Sequence, residues 1–353
     1  MSDVREAGQD GPAGTPAAAR ATADVEDSTG LTGGPTRGLT IGVDVGGTKI
    51  AAGLVDSAGK IVAEGRRETP ATSPPEIVAA IVEVVKELRS RAEGQEVEAI
   101  GVGAAGFVDA SRSEVLFAPN LAWRKEPLKE AVQARTSLPT VVENDANAAA
   151  WAEFQFGGGR DVDDMILLTI GTGLGGGLVL NGELYRGAFG VGGEVGHFRV
   201  VPNGHLCGCG NRGCWEQYAS GRALVREARD FARSSPSQAD ALLALAGGTA
   251  DRIEGPMVTK AAAAGDTAAT ELVQDLGRWL GEGIATLAAI LDPAVVVIGG
   301  GVSEAADLLL EPARNAFWRQ LTARGHRPTL EIRPAVLGNE AGIIGAADLA
   351  RRR

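Results

Sequence analysis

The sequence has few cysteines, no excess of positive charge and no long apolar run. Its formal net charge at pH 7 is −11, because 45 Asp and Glu outnumber 34 Lys and Arg. An acidic surface disfavours nucleic acid and anionic membranes as partners. No apolar run approaches the roughly 18 residues of a membrane span, and the N-terminus lacks the charged-then-apolar plan of a secretory signal. We therefore expect a cytoplasmic protein that binds neither nucleic acid nor membranes.

The first 37 residues also lack a periodic apolar face. They are rich in Ala, Gly, Thr, Asp and Pro, a composition that favours disorder over a packed core. A DNA-binding head would need periodic helices and a basic face, and this segment has neither. We predict that residues 1–37 are a disordered N-terminal extension.

All 3 cysteines lie within Cys207–Cys214, and His197 precedes them, which gives the spacing H-x9-C-x-C-x4-C. An odd, tightly clustered set is a poor disulfide framework. One imidazole and three thiolates suit a closed tetrahedral zinc site, and four protein ligands leave no open position for catalysis. We predict a structural zinc ion on His197, Cys207, Cys209 and Cys214. The alternative is three free thiols that lie near a histidine by accident.

Glycine is abundant, with 50 residues, about twice the usual share of roughly 7%. One cluster is DVGGTK at Asp44–Lys49, where successive small residues let backbone N–H groups converge on an anion. Thr48 adds a hydroxyl, and Asp44 is suited to holding Mg²⁺. The order Gly-Thr-Lys is not that of a P-loop. The alternative is a plain hairpin turn.

A second glycine cluster, GTGLGGG at residues 171–177, meets the same chemical need. We expect this run to be a turn, with a strand at Leu178–Leu180. It contains a formal G-x-G-x-x-G, as does the stretch from Gly101 to Gly106. A dinucleotide fingerprint needs the loop to open a helix within a βαβ unit. Here a strand follows the first, and Phe107–Asp109 plus a long loop follows the second, so the context disfavours an NAD-linked enzyme.

A third cluster, Gly299–Gly301, lies between an apolar strand and a helix. It suits a backbone platform for an adenine or a phosphate. The alternative is a simple strand-to-helix turn with Ser303 as the helix N-cap, and the two roles can coexist.

Three acidic residues are candidates for chemistry. Asp145 follows a short strand, in VVENDANAAAW, and precedes a helix expected from Ala146. Its carboxylate is either a helix cap or a catalytic base. Glu194 and Glu216 flank the predicted zinc ligands, so a metal would fix them as hydroxyl acceptors for a polyol. The alternative for both is solvated surface charge.

Strands and helices alternate along the whole chain, which predicts an α/β architecture in two lobes, each with a mixed sheet. The first two glycine clusters share one context, a strand followed by a tight loop and a second strand. That shared context is a sign of internal duplication.

Seven stretches resemble the ROK family (repressors, open-reading-frame proteins, sugar kinases), and the closest resemblance is to its bacterial glucokinases. They are IGVDVGGTKIAAGLVD at 41–56, ENDANAAAWAE at 143–153, IGTGLGGGLVLNGELYRG at 170–187, GGEVGHFRV at 192–200, CGCGNRGCWEQYASGRAL at 207–224, VVVIGGGVS at 295–303 and LGNEAGIIGAA at 337–347. The resemblance implies a two-lobed actin-like/hexokinase (ribonuclease H-like) ATPase fold with mixed sheets. It implies a small lobe of residues 38–145 completed by a C-terminal helix at 340–353, and a large lobe of residues 146–339 with a zinc-braced loop at 197–214.

The resemblance also implies a function, the ATP-dependent phosphorylation of the glucose 6-hydroxyl with Mg²⁺ and a structural Zn²⁺. Asp145 matches the family's catalytic base. The sugar-hydroxyl ligands match Asn120, Asn144, Asp145, Glu194, His197 and Glu216. The nucleotide-side motifs match Asp44, Gly46, Gly47, Thr48, Lys49, Gly171, Thr172, Gly173, Gly175, Gly299, Gly300 and Gly301.

Several alternatives stay open at this point. A sister kinase for fructose, mannose or an N-acetylhexosamine would differ only in details of the sugar pocket. A non-catalytic sugar-sensing regulator of the family would need a helix-turn-helix head. The glycine loops suit ATP or polyphosphate as the donor. A homo-oligomer, dimer or tetramer, is expected from the family alone.

Overall fold

The computed structural model describes residues 38–301 and 306–353. The predicted disordered extension at 1–37 and the predicted N-cap Ser303 lie outside the described residues.

The first half of the chain forms one mixed sheet with two helices and a small side sheet. Its elements are β1 (Leu39–Val45), β2 (Lys49–Val55), β3 (Ile61–Glu68), α1 (Pro74–Ser90), β4 (Val97–Ala104), β5 (Phe107–Val108), β6 (Val115–Phe117), β7 (Arg124–Glu126), α2 (Leu128–Thr136) and β8 (Thr140–Asn144). The main sheet has the order β3-β2-β1-β4-β8. Strands β1 to β3 are antiparallel, whereas β4 and β8 run parallel to β1.

The second half repeats this topology. Its elements are α3 (Asp145–Phe156), β9 (Met165–Ile170), β10 (Leu174–Leu180), β11 (Glu183–Tyr185), α4 (Gly221–Ser234), α5 (Asp240–Leu245), α6 (Gly255–Ala263), α7 (Thr267–Leu291), β12 (Val295–Gly299), α8 (Ala306–Gln320), β13 (Glu331–Pro334) and α9 (Ala341–Arg351). The sheet order is β11-β10-β9-β12-β13, with β9 to β11 antiparallel and β12 and β13 parallel to β9. The two halves therefore share one strand order and one set of strand directions, which supports the duplication.

The sequence analysis predicted a long loop after Phe107–Asp109, and this prediction is wrong. Strands β5, β6 and β7 pair antiparallel into a small third sheet. Strands of two or three residues are too short for a side-chain alternation to be detected. The sheet is nevertheless anchored, because Val115 and Trp123 are fully buried in the core of the first half.

The second glycine cluster is a further correction. We predicted a turn over residues 171–177, but β10 begins at Leu174, and Gly175 and Gly176 pair with β9. Glycines within a strand often mark a close approach by another element. A Cβ on Gly177 would lie 2.4 Å from the Cβ of Ala150 on α3. Only residues 171–173 therefore form the turn.

The C-terminal helix α9 packs between the first sheet and α3 at unusually short range. A Cβ on Gly42 of β1 would lie 1.9 Å from the carbonyl oxygen of Ile343, and one on Gly345 would lie 1.7 Å from that of Ala148. Because glycine has no side chain, the backbones approach each other closely at these positions. The last helix therefore packs directly against β1 and β4.

Gly101 on β4 tests this packing. Gly101→Ala is expected to lower the free energy of unfolding by about 3 kcal/mol, since overpacking against rigid backbone forces shifts in both elements. The new Cβ would meet the carbonyl oxygen of Ala346 at 1.8 Å. Gly103→Ala on the same strand is the control, because its nearest new contact is 3.6 Å. Chemical denaturation of both variants makes the comparison, and equal midpoints would contradict the close approach.

Candidate active site

The site begins where β8 meets α3. Asn144 is the N-cap of α3, since its Oδ1 accepts a hydrogen bond from the Asn147 N–H at 3.0 Å. Its Nδ2 donates to the Gly106 carbonyl at 3.2 Å and to the Asp145 carboxylate at 3.1 Å. Asp145 is the first residue of the helix, so the suggestion that its side chain caps a helix from Ala146 is wrong. Asn144 has that role, and the Asp145 carboxylate faces a cavity instead.

That cavity has a volume of about 550 Å³. One of the three glycine clusters and both flanks of the cysteine loop line this cavity. All six predicted substrate residues line it, namely Asn120, Asn144, Asp145, Glu194, His197 and Glu216. Thr172, Gly173 and Gly175 of the second glycine cluster also line it.

Asp145 has a strongly perturbed acidity. Burial raises its pKa to about 7, and the nearby carboxylates of Asp44 and Glu194 act in the same direction. A carboxylate with a pKa near neutrality is a better proton acceptor than an ordinary one and still releases the proton afterwards. The same group is costly to keep ionised in the folded protein, so the arrangement favours a chemical role over a structural one.

Glu143 is a buried charged residue beside the site that the sequence analysis missed. It is 2% exposed and lies between Arg186, at 2.8 Å, and Arg112, at 3.4 Å. Its Oε1 also accepts from the Asn147 side chain at 3.1 Å. The buried carboxylate thus ties the strand end before Asp145 to two distant loops. A charged residue in an otherwise apolar strand, VVEN, was the signal for it.

The predicted metal ligands converge. The donor atoms of His197, Cys207, Cys209 and Cys214 all lie within 4.8 Å of one another. The pairs His197 Nδ1 with Cys207 Sγ and Cys209 Sγ with Cys214 Sγ are each 3.6 Å apart. Ligands of tetrahedral zinc with bonds of about 2.3 Å are separated by about 3.7 Å. The donor set and its spacing therefore fit zinc.

The two nitrogens of His197 face different partners. Nδ1 faces Cys207 and lies 3.9 Å from Glu216, whereas Nε2 lies 3.9 Å from Glu194. A metal on Nδ1 leaves the proton on Nε2. His197 can therefore serve the metal on one side and present a hydrogen-bond donor on the other, which reconciles its two predicted roles.

The loop that carries Asn120 is held by Arg124. Its guanidinium donates to the carbonyl oxygens of Ala118, Leu121 and Trp123 at 2.9, 3.1 and 2.6 Å. Other cavity residues that sequence reasoning missed are Phe107, Phe117 and Pro119, which belong to the small sheet and to the loop between β6 and β7. They give one wall of the cavity an apolar surface.

A second cavity, of about 420 Å³, adjoins the first. Its lining includes the predicted residues Gly171, Thr172 and Gly301, and three that were missed, Gly255, Pro256 and Thr259. Thr172 and Arg222 line both cavities. The two spaces therefore meet at these residues, and a ligand with two ends can occupy both.

The first glycine cluster lies beside these cavities and does not line them. Asp44 is on β1, where it pairs with Ala51 of β2. The tight turn that follows consists of Gly46, Gly47 and Thr48 and leads into Lys49, the first residue of β2, and it is closed by a 3.0 Å hydrogen bond from the Gly46 N–H to the Lys49 carbonyl. Asp44 is still close enough to raise the pKa of Asp145.

The predicted residues Gly299 and Gly300 also lie outside both linings. A Cβ on Gly300 would lie 2.2 Å from the Ile170 carbonyl oxygen, so this backbone is packed against the end of β9. Gly301, with nothing within 4 Å of its Cβ position, is the member of the cluster that reaches the second cavity.

Comparison with known proteins gives consistent matches. The model of the ROK family matches residues 40–353. The glucokinase of Streptomyces coelicolor is 54% identical over 314 residues, which cover 89% of this chain and 98% of that protein. The crystal structure of a ROK family glucokinase from Streptomyces griseus in complex with glucose and AMPPNP is 53% identical, with a TM-score of 0.81, and the match covers 90% of this chain and 100% of that one.

A regulator is also among the relatives. The xylose repressor of Bacillus subtilis is 28% identical over 314 residues, which cover 88% of this chain and 77% of the repressor. In the part of the chain that the structure describes, no helix has both the length and the apolar character needed to cross a membrane.

Proposed function

Because the chain belongs to the ROK family, we propose that it phosphorylates glucose at the 6-hydroxyl with the γ-phosphoryl group of ATP, the activity of a glucokinase. The observation that carries this proposal is the 54% identity to a glucokinase over 89% of the chain. The single cavity lined by the six predicted sugar residues supports it. The fold is the actin-like/hexokinase fold, and in our proposal residues 38–145 and 146–339 are its two lobes.

In the proposed reaction Asp145 is the general base. The carboxylate accepts the proton of the glucose 6-hydroxyl while that oxygen forms a bond to the γ-phosphorus. The bond between this phosphorus and the β–γ bridging oxygen breaks, and ADP leaves. Such general-base assistance is worth roughly 10²- to 10⁴-fold in rate. Positioning and charge stabilisation supply most of the rest of the rate enhancement in phosphoryl transfer.

Recognition of the sugar follows from the polar lining. Asn120, Asn144, Glu194 and Glu216 offer amide and carboxylate groups that can each bind adjacent hydroxyls. A site built on such bonds rejects analogues that lack a hydroxyl, because a polar group of the protein is then left unpaired. The Nε2–H of His197 adds a donor beside Glu194.

Two metals belong to the proposal. Mg²⁺, when bound with the nucleotide, neutralises phosphate charge, and Asp44 is the carboxylate suited to hold it. The position of Asp44 suits this role, because its carboxylate is half-buried and lies near Asp145. The zinc of the cysteine cluster has a structural role, since four protein ligands close its coordination shell. The cytoplasmic location and a homo-oligomeric state stay predictions.

A coupled assay over a panel of hexoses tests the function. We expect glucose with ATP to give the highest kcat/KM. Fructose, mannose and the N-acetylhexosamines should be poorer by tenfold or more, since each misplaces one hydroxyl or adds bulk. Polyphosphate is tested in parallel as the donor. A higher kcat/KM for any other hexose would transfer the assignment to a sister kinase, and no turnover with any sugar would favour a regulator.

A further inference from the structure

Arg222 lies at the junction of the two cavities and, among the described residues, has no hydrogen-bond or ion-pair partner. It is the second residue of α4, and it lines both the sugar-side cavity and the adjoining cavity. Of the described residues that line the two cavities, it is the only lysine or arginine. The same linings contain the carboxylates of Asp145, Glu194 and Glu216. A polyanionic donor must therefore enter a region whose fixed charge is otherwise negative.

The other arginines of α4 all have acceptors. Arg226 donates to the Gln217 carbonyl at 2.6 Å, Arg229 donates to the Ile253 carbonyl at 3.0 Å, and Arg233 pairs with Asp230 at 2.6 Å. Within residues 38–301 and 306–353, Arg222 has no hydrogen-bond or ion-pair partner. Its guanidinium is thus available to a ligand, whereas those of its three neighbours stabilise the helix and its surroundings.

The start of α4 is fixed against the second glycine turn. The Gly221 N–H donates to the Gly171 carbonyl at 2.8 Å, and a Cβ on Gly221 would lie 2.6 Å from that oxygen. Ser220 caps the helix by accepting from the Ala223 N–H at 3.2 Å. Arg222 therefore lies in the first turn of an anchored helix and not in a loop. Less backbone conformational entropy is then lost when its side chain binds a ligand.

We propose that Arg222 binds the terminal phosphoryl group of the donor and stabilises its charge during transfer. This inference rests on the proposed function. The sugar occupies the cavity beside Asp145 and the nucleoside occupies the adjoining one, so the group that crosses their junction is the terminal phosphate. Arg222 and Thr172 are the two residues that both cavities share.

The chemistry suits a guanidinium. Its planar fork can donate two hydrogen bonds to the equatorial oxygens of a phosphoryl group and is always charged. Charge on those oxygens is stabilised through the loose transition state of phosphoryl transfer, where a positioned arginine has large effects on rate. Arg222 makes no bond in the reaction: the 6-oxygen bonds to the γ-phosphorus, the β–γ bridging oxygen leaves with ADP, and the proton goes to Asp145.

Arg222→Gln tests the proposal, with Arg233→Gln as the matched control. Both variants remove one positive charge from α4, but Arg233 lies outside both cavity linings and its side chain is 52% exposed. For Arg222→Gln we expect kcat/KM for ATP to fall about 100-fold, while the Kd for glucose stays within about twofold. Arg222→Lys keeps the charge but not the fork, so it should recover part of the loss. Arg233→Gln should match the wild type.

Binding measurements separate the terminal phosphate from the rest of the nucleotide without turnover. With Mg²⁺ and glucose present, Arg222→Gln should lose more affinity for AMPPNP than for ADP. Equal losses for both nucleotides, a loss confined to glucose binding, or unchanged kcat/KM for ATP would each overturn the proposal. Failure of the proposed function is distinct, because the wild-type protein would then phosphorylate no hexose whatever the nucleotide affinities of the variants.

Discussion

Asp145→Asn is expected to lose about 10²- to 10⁴-fold in kcat while it still folds and binds glucose. The substitution keeps the shape of the side chain and its hydrogen bond to Asn144 but removes the proton acceptor. Steady-state kinetics with glucose and ATP give the rate, and calorimetry gives the glucose Kd. A large loss in kcat with an unchanged glucose Kd identifies Asp145 as a general base. A residue that only bound the sugar would change the glucose Kd together with kcat/KM. Near-normal turnover would refute the assignment.

Glu194→Gln is the control within the same cavity. Glu194 faces His197 at 3.9 Å and in our proposal it binds a sugar hydroxyl. Its variant should raise the KM for glucose more than it lowers kcat, the opposite of the pattern for Asp145. If the two variants gave the same pattern, the roles assigned to the two carboxylates would be wrong.

The pH dependence of the wild type follows from the same group. Because the pKa of Asp145 is raised to about 7, kcat/KM should fall about tenfold per pH unit below 7, where the base is protonated. The effect on stability has the opposite direction. The folded pKa exceeds the unfolded value of about 3.9, so the folded protein binds more protons between these two values. The contribution of Asp145 to the stability of the wild type should therefore fall as the pH rises from about 4 to 7.

Asp145→Asn removes this penalty. Its free energy of unfolding, relative to the wild type, should grow through that window and level off above pH 7. A shift of about three pKa units sets an upper limit of about 4 kcal/mol. Urea denaturation of both proteins at pH 5 and pH 8 checks the sign. A variant that is less stable than the wild type at pH 8 would indicate a structural role for the carboxylate.

Loss of the zinc cluster is expected to weaken glucose binding and stability together. Cys214→Ser changes a fully buried ligand, and the loop it braces carries Glu194, His197 and Glu216 to the sugar cavity. We expect no bound metal, a melting temperature lower by about 10 °C or more, and a KM for glucose raised by about 10- to 100-fold. The KM for ATP should change little, because no metal ligand lines the adjoining cavity.

Chelation of the wild type provides the companion experiment. A strong chelator should reproduce the effects of Cys214→Ser on the wild type, and it should have no further effect on the variant. Metal analysis of the purified protein should give one zinc per chain. Chelation that removes the metal but leaves both the melting temperature and the KM for glucose unchanged would contradict the bracing role.

The sequence by itself determined the features whose evidence is local. The metal cluster could be predicted because its four ligands lie within residues 197–214, and the structure brings their donor atoms within 4.8 Å. The alternation of strands and helices predicted the α/β architecture, since the longer elements each show their own periodicity. The resemblance of the seven stretches predicted the family, which the match over residues 40–353 confirms.

Only the tertiary structure decided which polar residues meet. Glu143 is bonded to Arg186, which lies 43 residues away in the chain, and no local pattern marks that pair. Arg222 looks like any other arginine of a charged helix until α4 is packed against the glycine turn at Gly171. Both residues depend on contacts between distant segments, and such contacts leave no periodic signal.

The ambiguity of Asp145 was resolved in the same way. From the sequence, a carboxylate between a strand and a helix was either a cap or a base. In the structure Asn144 provides the cap, and the packing of the two halves brings Asp44 and Glu194 close enough to raise the pKa of Asp145. Sequence determines which groups a short segment offers, because it fixes their order and spacing. Burial and neighbouring charge determine what those groups do, and both are properties of the packed molecule.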